Sequence, residues 1–322
     1  MKEDNTTLVT LGCSWTRGVG VGYDETKMWD PEHSLDTGKI PYNFTQQQYN
    51  DIKGSDYPDY NNFIKNRNNK LFFKNFVWKE LLDYSKYQYD RKIHEKIAWN
   101  DSINDEYSFR GILSKYLKFK NINFSMGGSS NEAQFNEMYK IFGNPEKRAQ
   151  FLKSNPIVLW GITSTARIFR NNESIMFNDY VDNFSNSTDD KDLYAELYLK
   201  LYYDHQKCVS TLSDKIELWN IIFEHYDIPI IWFDTFNTHK YPNLPRNFVQ
   251  GGDLLTQMVN VNKSKISKIF TKVYHRSAWR VDDPRVKEGV KLKLLNPISC
   301  HPTKTGHELI SEILLPYLEY YK

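Results

Sequence analysis

Cysteine is scarce in this chain. Cys13, Cys208 and Cys300 are the only three in 322 residues, and an odd, sparse set excludes a disulfide framework. Long hydrophobic runs are missing too. No stretch approaches the ~20 apolar residues that a membrane-spanning helix requires, which removes the membrane as a partner. The opening residues, MKEDNTTLVTLG, lack the apolar segment of a signal peptide. The expectation is therefore cytoplasmic synthesis; a virion-associated protein would share that feature. An excess of one charge is also lacking: 42 basic against 40 acidic residues leave a net charge of +2. Interspersed charge of this kind creates no broad field for nucleic acid. The Lys-rich stretch at 263–272 is short and mixed, the pattern of a solvated surface. No internal repeat and no low-complexity linker divides the chain.

What is there is enough for a large core. Hydrophobic residues make up 40% and aromatics 15% of the chain. Thr7–Gly12 reads as a first strand, Ile122–Met126 as a second, and Pro156–Gly161 and Ile230–Phe233 as continuous apolar strands buried on both faces. Helical spacing is present over Leu71–Tyr84, Tyr107–Lys118, Glu132–Phe142, Asp253–Val261 and Thr303–Tyr320. The longest helical signal runs from Lys191 to Tyr226, with Leu197, Leu201, His205, Cys208, Leu212, Ile216, Trp219 and Phe223 on one stripe. His205 and Cys208 on that stripe read as core positions. Strands alternating with helices imply a parallel sheet. The expected architecture is α/β: a three-layer α/β/α sandwich with a flavodoxin-like parallel sheet of about five strands. It forms a single domain, 1–322, with polar, aperiodic insertions at about 23–106 and 235–290.

The stretch LGCSWTRGVGVG, residues 11–22, is where chemistry is expected. A phosphate loop needs G-x-x-x-x-G-K-[ST], but five residues after Gly12 stands Arg17. A dinucleotide fingerprint is only weakly matched, because three residues after Gly18-x-Gly20 stands Tyr23, with the glycine at 22 one place early. What remains is a turn that presents Ser14 at the carboxyl end of a parallel strand, where open α/β sheets build their sites. Such a serine needs a base and oxyanion donors. His301 lies at the far end in SCHPTKTGHELISEILLPYL, on a loop that enters the terminal helix with Thr303 as its N-cap. His307, near the start of that helix, reads as a surface or packing residue. Two further fragments each follow a strand: FSMGGSSNEAQ, with Gly127 and Gly128, and VLWGITSTAR, with Gly161, Thr163, Ser164 and Arg167.

In this order the fragments resemble the blocks of the SGNH (GDSL-type) hydrolase superfamily, in a variant similar to members from phages and uncharacterised bacterial proteins. Gly12-Cys13-Ser14-Trp15-Thr16-Arg17-Gly18 resembles the first block, with Cys in place of Asp. Gly128 matches the oxyanion glycine of the second. Gly161-Ile162-Thr163-Ser164 resembles the third with its Asn replaced, and His301-Pro302 with Gly306-His307 resembles the fifth. The acid expected three residues before His301 is Ile298.

The resemblance implies Ser14 as nucleophile and His301 as general base. The backbone N–H groups of Ser14 and Gly128, with the hydroxyl of Thr163 or Ser164, would hold the oxyanion. For the missing acid it leaves Ser299, a bridging water, or a remote carboxylate: Asp234 first, then Asp282 or Asp283. Arg167 is placed either to hold a substrate carboxylate or phosphate or to form a surface salt bridge. Cys13, one residue from Ser14, should face away and pack; Cys300 is left undecided. No cofactor or metal is implied. The Tyr-, Trp- and Asn-rich insertions favour a carbohydrate, so the expected activity is hydrolysis of an acyl ester, such as acetyl, on a glycan or small molecule. Two alternatives stay open. One is a non-catalytic binding or structural module, such as a phage virion or tail component, with homo-oligomer or virion assembly as its partnership. The other is glycan O-acyl transfer.

Overall fold

The computed structural model describes residues 6–19, 21–22, 101–165, 167–170, 173–176, 201–236, 239–261, 283–296 and 300–322. The chain divides into two compact units, Met1–Gly22 with Ala98–Lys322, and Tyr23–Ile97. The second unit, with the helix expected over Leu71–Tyr84, lies outside the described residues. So do the Lys-rich stretch at 263–272, residues 191–200, Asp282 and Ser299.

The first unit is built on a parallel sheet of four strands. They are β1 (Thr7–Leu11), β2 (Lys120–Asn123), β3 (Pro156–Ile162) and, further along, Ile230–Asp234. Between them, β4 (Arg167–Arg170) and β5 (Glu173–Met176) form a separate antiparallel pair. Ile230–Asp234 is therefore β6, and the order across the sheet is β2-β1-β3-β6. Among the described residues the parallel sheet thus has four strands where about five were expected. The β4–β5 pair carries no strong pattern in the sequence.

The alternation along β3 shows how both faces are buried. Ile157 and Leu159 join one hydrophobic cluster, while Val158, Trp160 and Ile162 join the other. Successive strand residues point to opposite faces, so a fully apolar strand must be covered on both sides. One face is covered by α3 (Phe109–Leu117), α7 (Leu254–Val261), α8 (Pro284–Lys291) and α9 (Lys304–Leu318). The other is covered by α4 (Asn131–Phe142), α5 (Pro145–Lys153) and α6 (His205–His225). On that second side Trp160 and Trp232, paired in register across β3 and β6, stack at 4.8 Å, and Trp219 of α6 closes on Trp160 at 5.9 Å. Two short helices complete the unit: α1 (Ser14–Arg17) directly after β1, and α2 (Asp101–Tyr107) ahead of α3.

Several sequence expectations shift. Asp101–Tyr107, inside the segment read as a polar insertion, is helical. The helices α5 and α8 were not anticipated; each begins with a proline behind an Asn or Asp cap, Asn144 and Asp283. The α6 helix starts at His205, capped by Asp204. His205 is therefore exposed and Cys208 only half-buried, and neither is a core residue. The buried stripe begins at Val209. His307 is fully buried against the Phe109 ring, 5.8 Å away. Burial, then the nearby Arg110 charge, lowers its pKa to about 3, so it is neutral. Among the described residues no helix is long and apolar enough to cross a membrane.

The order of strands fixes where a site can form. After β2 the chain crosses β1 to reach β3, so the connections leaving β1 and β3 diverge, and a crevice opens outside their carboxyl ends. Ser14 follows β1 and Thr163 follows β3.

Candidate active site

β1 ends at Leu11, and Gly12-Cys13 turns the chain into α1, whose first residue is Ser14. The alternating glycines and hydroxyls of this block each have a structural reason. A Cβ on Gly12 would stand 2.0 Å from Thr16 Oγ1, and one on Gly161 would stand 2.7 Å from the same atom and 2.8 Å from the Phe233 ring. Thr16, fully buried, therefore occupies a slot that exists only because Gly12 and Gly161 carry no side chain. Gly18, at φ +90°, caps α1 in the left-handed conformation and returns its N–H to the carbonyls of Ser14 and Trp15. Cys13 is fully buried in the core with Trp15, as expected of a residue facing away. Cys300 is also buried, and all three cysteines are free thiols.

His301 reaches this turn from the other end of the chain. Its loop is pinned on both sides. Asn296 N–H bonds the His301 carbonyl at 2.8 Å, Cys300 N–H bonds the Asn296 carbonyl at 2.9 Å, and Thr303 N–H bonds the Leu294 carbonyl at 2.9 Å. Thr303 also caps α9 through Gly306 N–H. The result is a 2.6 Å contact between His301 Nε2 and Ser14 Oγ. With the ring proton on Nδ1, Nε2 accepts the hydroxyl hydrogen, the arrangement a general base needs.

The glycine pair is carried to the same place by an extension of the sheet. Beyond β2, Phe124 N–H bonds the Thr10 carbonyl at 2.8 Å and Met126 N–H bonds the Gly12 carbonyl at 3.1 Å. Gly127 and Gly128 are thereby set beside the β1 turn. Gly128 has φ +72°, and a Cβ there would meet nothing within 4 Å, so open space lies next to its backbone. Neither its N–H nor that of Ser14, the first residue of a helix, donates to a described residue.

Thr163 is fixed by residues that sequence reasoning missed. Asn131 spans it in both directions: Nδ2 donates to the Thr163 carbonyl and Oδ1 accepts the Thr163 N–H, each at 2.9 Å. His239 Nε2 lies 3.3 Å from the same carbonyl. The Thr163 hydroxyl is buried and has no hydrogen-bond partner among the described residues. Asn131 stands in the FSMGGSSNEAQ fragment just ahead of the helix expected from Glu132, and nothing in the sequence says that its amide crosses to β3. His239 follows β6 at no motif spacing and carries no signal at all.

The remaining candidates fall as follows. Asp234 is buried at the end of β6, where Oδ1 accepts the Tyr241 hydroxyl at 2.7 Å and Oδ2 accepts the His239 N–H at 3.1 Å. It makes no hydrogen bond to His301 among the described residues. Burial pushes its pKa up to about 7, against the two hydrogen bonds that favour the ionised form. Burial likewise lowers His239 to about 4. Asp283 is spent on the α8 cap and on an ion pair with Arg285 at 2.7 Å. Arg167 is no surface residue: it is 4% exposed and has no ion-pair partner among the described residues. Ser164 is buried next to Thr163. Among the described residues no group of three or more His, Cys, Asp or Glu could hold a metal ion.

Comparison with protein-family models, with curated proteins and with solved structures finds no significant match for this chain.

Proposed function

We propose that this chain is a serine esterase of the SGNH type, cleaving an acyl ester carried by a carbohydrate or small molecule. The observation that carries the reading is the 2.6 Å contact between His301 Nε2 and Ser14 Oγ, two residues 287 positions apart. The sheet order, with helices on both faces, supports the flavodoxin-like three-layer arrangement that this family uses.

In this mechanism His301 takes the Ser14 proton as Oγ attacks the ester carbonyl. The developing oxyanion is held by the Ser14 and Gly128 N–H groups, with the Thr163 hydroxyl as the side-chain donor. His301 then delivers its proton to the departing alcohol, leaving the acyl group on Ser14. Water, deprotonated by the same imidazole, releases the acid and restores the serine. A side-chain hydroxyl where the family has an Asn amide supplies one weaker donor, so the rate is expected to be modest.

The test is labelling by a fluorophosphonate probe together with turnover of p-nitrophenyl acetate, for the wild type, Ser14→Ala and His301→Ala. The expected result is labelling of the wild type, none of Ser14→Ala, and a rate at least about a hundredfold lower for His301→Ala. A wild type that reacts no faster than Ser14→Ala in both assays would refute the reading and favour a binding module.

A further inference from the structure

Arg167 is a buried cation that the mechanism does not use. Its guanidinium lies over the Phe236 ring at 5.4 Å, and Nη1 donates to the Ser129 carbonyl at 3.3 Å. That is the guanidinium's one hydrogen bond among the described residues, and its buried Nε–H has no partner there. A guanidinium keeps its charge, and a buried charge without a counter-anion is costly. Both groups that hold it touch the candidate active site. Ser129 follows Gly128, and the Phe236 ring packs on Trp15, next to Ser14, at 5.6 Å.

Arg167 also forms part of the wall of a cavity of about 290 Å³. Ser14 and His301 are not in that wall. Thr165, Lys207, Lys215, Glu132 and Asp204 line it as well. Lys215 and Glu132 sit 4.0 Å apart, and Asp204 caps α6 through the Lys207 N–H at 3.1 Å. Three cations against two carboxylates leave one positive charge, which suits a single monoanion better than a dianion. With one face of the guanidinium on Phe236, the group left to meet it in its own plane is a planar oxyanion.

We propose that Arg167 anchors a carboxylate carried by the substrate, so that the esters taken by this site are acylated acidic sugars of the uronate kind or similar carboxylated alcohols. The proposal deepens the esterase reading of Ser14 and His301 and rests on it for the meaning of the anchor. The binding itself is measured without turnover.

The experiment is calorimetric titration of glucuronate, glucose and inorganic phosphate into the wild type, Ser14→Ala, Arg167→Lys and Arg167→Gln. Glucuronate is expected to bind saturably and at least about tenfold more tightly than glucose or phosphate. Ser14→Ala should keep that affinity, Arg167→Gln should lose about tenfold or more, and Arg167→Lys should fall between. Absence of saturable glucuronate binding overturns the proposal. So do equal affinity for glucose, tighter binding of phosphate, and a folded Arg167→Gln that binds as the wild type does. If Arg167→Gln does not fold, the ranking of ligands on the wild type and the Arg167→Lys result decide. A failed labelling test at Ser14 would refute the esterase while leaving the ranking intact, so the two failures are told apart.

Discussion

Replacing Asp234 by Asn tests the electrostatics at the end of β6. Asp234 is 4% exposed, and burial raises its pKa from an ordinary 3.8 to about 7. A carboxyl whose pKa is higher in the folded chain than in the unfolded one holds its proton more tightly when folded. Its contribution to stability is fully present below the unfolded value and is lost as pH rises through the folded value. The window is therefore about pH 4 to 7. A shift of roughly three units corresponds to about 4 kcal/mol, at 1.36 kcal/mol per unit. The replacement amide cannot ionise, so the stability of Asp234→Asn relative to the wild type should climb by about 3–4 kcal/mol between pH 4 and pH 8. His239, lowered to about 4, acts in the opposite sense: its contribution is present above 6.5 and is lost as pH falls toward 4. It is retained in both proteins and cancels in the difference. The assay is urea unfolding of both proteins at half-unit steps of pH, followed by tryptophan fluorescence. A difference that stays flat across the window would refute the reasoning. It would mean that Asp234 is ionised throughout.

Two further outcomes follow from the packing around the candidate nucleophile. Gly161→Ala places a methyl group 2.7 Å from Thr16 Oγ1 and 2.8 Å from the Phe233 ring. It should lower stability by about 1–3 kcal/mol and slow fluorophosphonate labelling of Ser14, read by urea unfolding and by probe incorporation on one sample; unchanged values in both would show that the slot is slack. Asn131→Ala removes both bonds to the Thr163 backbone and leaves a buried N–H unpaired, for a loss of about 1–3 kcal/mol. The labelling rate should fall along with the melting temperature, and a fully stable, fully reactive variant would contradict the bracing role.

The local elements were legible where the chain writes a period. PIVLWGI reads as a doubly buried strand because every residue is apolar, and β3 is buried at each of its seven positions. The terminal helix and its Thr303 cap were plain for similar reasons. The α5 and α8 helices were not, because few of their side chains reach the core and their starts are marked only by Asn-Pro and Asp-Pro. The 3.6-residue period predicts a core stripe through His205 and Cys208, but α6 begins only at His205 and its buried residues at Val209.

Residue type and spacing alone place Ser14 just after the first strand, Gly128 and Thr163 after the next two candidate strands in chain order, and His301 before the last helix. Turns and caps are local, and residue type decides them. Long-range packing alone shows that His301 Nε2 lies 2.6 Å from Ser14 Oγ, that Thr16 fills a slot between Gly12 and Gly161, that Asn131 holds Thr163, and that Arg167 is buried with no counter-ion among the described residues. Each of these is a relation between strands brought together by the order β2-β1-β3-β6. A one-dimensional pattern carries the period of each strand, but not which strand lies beside it.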